Sequence, residues 1–219
     1  SIRNINRNPN NSEVIMWALV ESNNVTQVYT RPKGLTIGDV NYPSNIFMLW
    51  SASELEAIGI YEIVIDNSNL KDKEYYINTN QSFNFASGTV TATYGTATAL
   101  PLDDVLFTAQ DETDGLGTEG EVKQPGIRQG HINTINAQAG GILQATDWMV
   151  VRAAEGGTAV PSSITTKRAA VRTKANAMCT QITNAANVDA LAALYVYSNT
   201  GTESDPVYTR PLGELPLVD

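Results

Sequence analysis

In the first half of the chain, apolar residues come in short runs separated by turn-forming residues. The runs cover residues 14–20, 25–30, 46–50, 60–65, 75–78 and 89–94, and Val, Ile, Tyr and Thr dominate them. These residue types suit a pleated, half-buried surface, so each run predicts a strand. The breaks carry turn chemistry at Asn23-Asn24, Pro32-Lys33-Gly34, Gly38-Asp39, Tyr42-Pro43 and Asp66-Asn67. Gly and Asn accept backbone angles that other residues avoid, and Pro fixes one angle in advance. Short strands joined by tight turns predict an antiparallel β domain. One helix is expected inside it, because Ser51 and Glu54 have capping-box spacing, Leu55 and Ile58 make an apolar stripe, and Gly59 stands where the chain must reverse.

From His131 onward the apolar spacing becomes helical. Ile132, Ile135, Ala139, Ile142 and Met149 fall on one seam, which Gly156-Gly157 ends. Pro161-Ser162-Ser163 restarts the chain, and Ile164, Val171, Ala175, Met178, Ile182 and Ala185 form a second seam. Two seams and a short turn predict a helical hairpin. A third helical stretch over 188–195 offers Leu191, Leu194 and Tyr195 for packing. The seams are rich in Ala and interrupted by Gly140-Gly141. They bury little apolar area per residue, so the hairpin is expected to need the β domain, or copies of itself, for stability.

The expected fold class is therefore α+β. A polar arm covers 1–12, an N-terminal antiparallel β domain 13–107 and an acidic Gly-rich linker 108–130. A C-terminal α-helical hairpin or small helical bundle covers 131–197, and an extended tail 198–219. Asn4, Asn6, Asn8, Asn10 and Asn11 leave the arm too polar to fold alone, so partners are expected to order it. Val28-Tyr29-Thr30-Arg31-Pro32 recurs as Val207-Tyr208-Thr209-Arg210-Pro211, which chance and strand composition explain as readily as two similar strands ending at proline turns.

Charge alters this picture in one direction. Only 17% of residues are charged, against the usual quarter, and Asn, Thr, Ala and Gly supply much of the polar surface. Such a surface suits packing inside an assembly. The net charge of -9 would repel phosphates and anionic headgroups, so neither nucleic-acid binding nor membrane insertion is expected. No run approaches the roughly 20 apolar residues that span a bilayer, and neither a signal peptide nor a membrane anchor is expected. Cys179, the single cysteine, forms no internal disulfide. Its place beside Met178 reads as a packed core thiol and fits synthesis in a reducing cytoplasm.

The chemistry-bearing residues give little sign of catalysis. His131 is the only histidine, which leaves no room for a multi-histidine metal site, and its place before a helix seam suits a capping or partly buried role. Gly115-Leu116-Gly117-Thr118-Glu119-Gly120 spells a dinucleotide fingerprint, but that fingerprint works only between a strand and the helix it opens. Asp111, Glu112, Asp114, Glu119 and Glu121 would also repel a pyrophosphate. The same acids, with Asp103 and Asp104, lack the spacing of a calcium loop. No metal, cofactor or catalytic residue is expected, although a glycan-cleaving carboxylate pair leaves no mark on sequence. Trp17, Trp50 and Trp148 read as core residues. Lys167, Arg168, Arg172 and Lys174 form a local basic cluster on the second helix. With Trp148 they are the candidate interaction residues, against the alternative of a solvated face balanced by acids elsewhere.

Ile142-Leu143-Gln144-Ala145-Thr146-Asp147-Trp148 is followed by Arg152-Ala153-Ala154-Glu155-Gly156-Gly157, Val160-Pro161 and Arg168-Ala169-Ala170-Val171-Arg172. This arrangement resembles the C-terminal helical region of tailed-bacteriophage tail-fibre and tail-assembly proteins, over roughly residues 130–194. The segments Arg31-Pro32-Lys33-Gly34, Tyr42-Pro43 and Leu49–Leu55, leading to Gly59-Ile60-Tyr61, resemble the β module that precedes that region. The resemblance implies a non-enzymatic protein of the virion tail, in the baseplate or tail-fibre region. Its implied partners are other tail proteins (fibre, baseplate or tail tube) or copies of itself. A tail-fibre assembly chaperone that leaves before the particle is complete is the alternative, and a depolymerase of host-surface glycan is the third.

Overall fold

The structure is a computed structural model that describes residues 15–218; the expected arm over 1–12 lies outside the described residues. In chain order the first elements are β1 (Trp17–Glu21), β2 (Asn24–Tyr29), β3 (Leu35–Ile37), β4 (Val40–Tyr42), α1 (Ile46–Leu49), α2 (Ala52–Ala57) and β5 (Ile60–Asp66). Next come β6 (Tyr76–Ile77), β7 (Gln81–Ala86), β8 (Thr89–Tyr94), β9 (Thr98–Ala99), β10 (Val105–Leu106), α3 (Ala109–Thr113) and β11 (Val122–Gln124). The chain ends with α4 (Ile127–Gln144), α5 (Asp147–Ala154), α6 (Ser162–Asn184), α7 (Val188–Ala193), β12 (Ser198–Asn199) and β13 (Tyr208–Thr209). An antiparallel-rich sheet followed by helices makes the fold α+β. The described residues divide into two compact units, 15–71 with 78–98, and 72–77 with 99–218.

The first unit is built on a five-stranded sheet of order β2-β1-β5-β8-β7. Every pairing is antiparallel except β5 with β8, where Ile63 lies opposite Val90 in parallel register. Ser22 and Asn23 turn β1 into β2 with φ of 50° and 62°, and Ser87 and Gly88 turn β7 into β8 with φ of 51° and 75°. Two successive positive φ values match the twist of a tight hairpin. Alternation then gives the sheet two apolar faces. Trp17, Leu19 and Ile60 pack with Ile46, Phe47 and Leu55 on one face, while Ala18, Ile63, Val90 and Ala92 pack with Phe83 and Phe85 on the other.

The helix expected after Ser51 is present, and its capping box is complete. The Ser51 hydroxyl accepts from the Glu54 N–H, and the Glu54 carboxylate accepts from the Ser51 N–H at 2.7 Å. Gly59 follows with φ +84°, and a Cβ there would come within 2.8 Å of the Val20 carbonyl. Of residues 46–50, expected as a strand, 46–49 form helix α1 instead, with Trp50 as its C-cap. A continuous apolar run carries no period of its own, and this one is hemmed between the turn at Pro43 and the cap at Ser51. A helical turn buries the adjacent Ile46 and Phe47 and leaves Met48 and Leu49 outside. Strand β7 escaped the sequence reading because Gln81, Ser82 and Asn84 dilute the alternation of Phe83 and Phe85.

The second unit is organised by α4 and α6, which run antiparallel. Ile135, Ala139, Val171, Ala175, Met178 and Ile182 are buried between them, with Val188 and Leu191 of α7 and with Tyr75 and Leu212 completing the core. The expected single helix from 131 past 149 is two helices, since the chain breaks at Ala145-Thr146 and Met149 falls outside this cluster. Residues 108–130 are not an unstructured linker. A Thr108–Asp111 capping box starts α3, Lys123 pairs with Asp111 at 2.7 Å, and β10 pairs with β11. This segment folds by local hydrogen bonding with almost no apolar burial, which is why hydrophobic spacing does not reveal it. Nor is the segment expected as an extended tail simply extended over 198–218. β12 pairs with β13, and Leu212 is completely buried, its N–H donating to the Leu194 carbonyl at 3.0 Å. The recurring pentapeptide does sit in both places at a strand end, β2 and β13 stopping before Arg31-Pro32 and Arg210-Pro211 respectively.

Candidate functional site

The residues singled out on the second helix separate into different roles. Arg168 is 9% exposed. Its guanidinium donates to the Leu143 carbonyl at 2.7 Å, to the Thr146 hydroxyl at 2.6 Å and to the Asp147 carboxylate at 2.7 Å. It therefore closes the C-terminal end of α4 and ties the start of α5 to α6. Cationic groups are favoured there by the unpaired carbonyls and the helix dipole. The Thr-Asp pair and the Arg of the motif thus meet in one structural clamp, which removes Arg168 as a free docking group. Lys167 and Arg172 are exposed along α6. Lys174 is half-buried, its ammonium end against Gly213, and it helps Tyr197 and Arg210 hold the Glu214 carboxyl below its usual range.

A second arginine does the same work at the opposite end of the helix pair. Arg128, in the first turn of α4, donates to the carbonyls of Ile182 and Thr183 at 2.6 Å and of Ala185 at 3.1 Å, while Asp103 takes its Nε–H at 2.6 Å. The Arg128 hydrogen bond holds the Asp103 carboxyl below its ordinary range. Each long helix therefore carries near its start the guanidinium that caps the other's end.

His131 stands in a polar knot of the second unit. Its ring stacks on Tyr75 with 9° between planes, its Nδ1 lies 2.9 Å from the Tyr195 hydroxyl, and its Nε2 lies 3.7 Å from Glu74. Burial lowers the histidine's proton affinity more than Glu74 raises it, so the ring is neutral at pH 7 and the contact with Glu74 is not an ion pair. Burial also pushes Tyr75 up to about 12 and raises Tyr195. A neutral imidazole between protonated phenols holds α4, the segment after α7 and the segment before β6 together. Burial raises the Cys179 thiol as well, in keeping with a packed thiol rather than a reactive one.

The dinucleotide-like glycines connect α3 to β11. A helix leads into this loop and a strand leads out, the reverse of the order in which such a loop cradles phosphate. Among the described residues no group of three or more His, Cys, Asp or Glu is placed to hold a metal ion. No helix among the described residues is long and apolar enough to cross a membrane.

Sequence reasoning missed the most distinctive surface, a groove of about 690 Å³ on the first unit. Trp17 and Phe47, with ring centroids 4.8 Å apart, lie at its base with Leu55 and Ile60. Ile15, Met48 and Trp50 form its sides, and among the described residues its charged lining is Glu56 and Glu62. Met48 and its neighbour Leu49 are 71% and 73% exposed, and Trp50, read as core, is 36% exposed with its edge against Tyr42. A continuous Ile-Phe-Met-Leu-Trp run ending at a helix cap was the available signal, because one helical turn cannot bury five apolar residues. On the second unit Trp148 is also outside the core, 55% exposed with the Arg152 guanidinium 4.8 Å over its ring.

Comparison with protein-family models, with curated proteins and with solved structures finds no significant match to this chain.

Proposed function

We propose that this chain is a non-enzymatic structural component of a bacteriophage tail, built into the baseplate or tail-fibre region of the virion by protein–protein contacts. The observation that carries the reading is the groove of the first unit, where Met48 and Trp50, next to exposed Leu49, stay outside the buried aromatic core. Contiguous exposed apolar side chains with a polar rim mark surfaces that other proteins cover. The tail assignment rests on the motif resemblance, and the clamp supports it by giving Thr146, Asp147 and Arg168 a shared physical task.

Quantitative mass spectrometry of purified particles tests the proposal. A resident component is expected at a fixed small-integer ratio to the major tail protein. Absence from particles, with the chain present in infected cells and bound to fibre protein, would replace this reading with that of an assembly chaperone. Release of sugar from host envelope by the purified protein would replace it with a depolymerase.

A further inference from the structure

We infer that the chain associates head to tail with further copies of itself, the Trp148–Arg152 ridge of one copy entering the acidic apolar groove of the next. Trp148, Val151 and Arg152 stand at spacings of three and four along α5 and so share one face. Trp148 and Val151 are each 55% exposed. Arg152 lies over the Trp148 ring, and its Nε–H is buried from water without a hydrogen-bond partner. Tryptophan and arginine are both among the residue types enriched where truncation costs an interface its affinity.

The groove offers the complementary chemistry. Its exposed sides are Met48 and Trp50, and its charged lining is acidic, through Glu56 and Glu62. An aromatic ridge carrying a cation complements an apolar cleft carrying carboxylates in polarity and in sign. Within α5, the opposing acid Asp147 is already engaged by Arg168. Every copy bears both halves, so the contact joins unlike surfaces and continues from copy to copy, giving a ring if the rotation closes and a filament if it does not. The inference names a partner for the structural role proposed above and rests on that reading only for its setting.

The test is the mass of the purified full chain by light scattering and sedimentation velocity, up to about 100 μM, where contacts of micromolar affinity are populated. The wild-type mass is expected to rise above the monomer with concentration. Trp148→Ala and Met48→Asp should each weaken association roughly tenfold or more while leaving far-UV circular dichroism unchanged, since both side chains are exposed. If Met48→Asp perturbs the fold, Glu56→Arg on the rim examines the same face. Mixing Trp148→Ala with Met48→Asp should give a heterodimer that grows no further, because only one intact ridge and one intact groove then meet. Arg152→Glu should lose self-association, its reversed ridge meeting its own acidic groove, and regain association when mixed with Glu56→Arg/Glu62→Arg. A wild type that stays monomeric throughout, association that neither single variant affects, or a mixture that does not pair would overturn the inference. Particle composition decides the tail reading separately, so either failure is recognisable without the other.

Discussion

Replacing Arg168 with Ala tests whether the residues of the motif are a clamp. Three hydrogen bonds disappear, each of a kind worth about 1.5–3 kcal/mol when one partner is charged. The full sum is not expected. The Leu143 carbonyl keeps bonds from the Thr146 N–H and hydroxyl, both at 3.1 Å. The Asp147 side chain is 54% exposed, so water replaces the guanidinium and that part of the interaction is worth well under about 1 kcal/mol. What remains is the buried bond to Thr146, the cap on α4 and the packing of the arginine stem. Together these come to about 2–3 kcal/mol, or a fall in Tm on the order of 10 °C for a unit of this size. Urea unfolding followed by far-UV circular dichroism and by fluorescence reports it, because Trp148 is the only tryptophan of the second unit. Arg168→Lys keeps charge and stem but lacks the planar fork, and should recover less than half of the loss. In a double-mutant cycle with Thr146→Val the two losses should be strongly non-additive. Stability of Arg168→Ala within about 0.5 kcal/mol of wild type would refute the clamp.

Other consequences follow from the same geometry. Arg128→Met should free the carbonyls at the end of α6, destabilise the second unit by about 2 kcal/mol and speed amide exchange in the adjoining Asn187 to Ala190 turn. Because burial depresses the affinity of His131 for a proton, the unfolded chain binds that proton more readily. The contribution is full above the ordinary value of 6.5 and is lost as pH falls below it. The urea midpoint should therefore drop between about pH 7.5 and 5.5, and His131→Phe, which keeps the stack on Tyr75, should flatten that slope. Tyr75 acts at the other extreme, with stability declining as pH rises from 10 toward its raised value of about 12. Gly59→Ala should cost about 1–3 kcal/mol in the first unit through its positive φ and its clash with the Val20 carbonyl, seen as a lower unfolding temperature by the fluorescence of Trp17 and Trp50.

The legible parts of this fold were those in which a period or a local code repeats the three-dimensional fact. The α2 capping box needs only Ser51 and Glu54, and the α6 core needs only the spacing of Val171, Ala175, Met178 and Ile182. Long-range facts were hidden. Tyr75 and Leu212 join the helical core from segments with no period. Arg168 stands in the sequence reading as one of a basic cluster of interaction residues, although it lies four residues after Ile164 and three before Val171, on the apolar seam itself. A charge at a seam position requires a buried partner, and that was the overlooked sign. Trp148 was misplaced for the converse reason: α5 starts a new helix at Asp147, so the seam of α4 does not extend to it.

The two arginine caps also bear on how the second unit would carry load. Ala-rich helices present smooth faces that have little to stop one sliding along the other. Arg128 and Arg168 act as bolts at the two ends of that sliding surface. Displacement along the common axis must shear both at once, whereas prying the helices apart from one end strains them one after the other. Pulling the chain by points on α4 and α6 should therefore give a higher rupture force along the axis than across it, with the difference lost in Arg128→Met/Arg168→Ala. A strut with this anisotropy transmits axial force stiffly and opens like a hinge when loaded from the side.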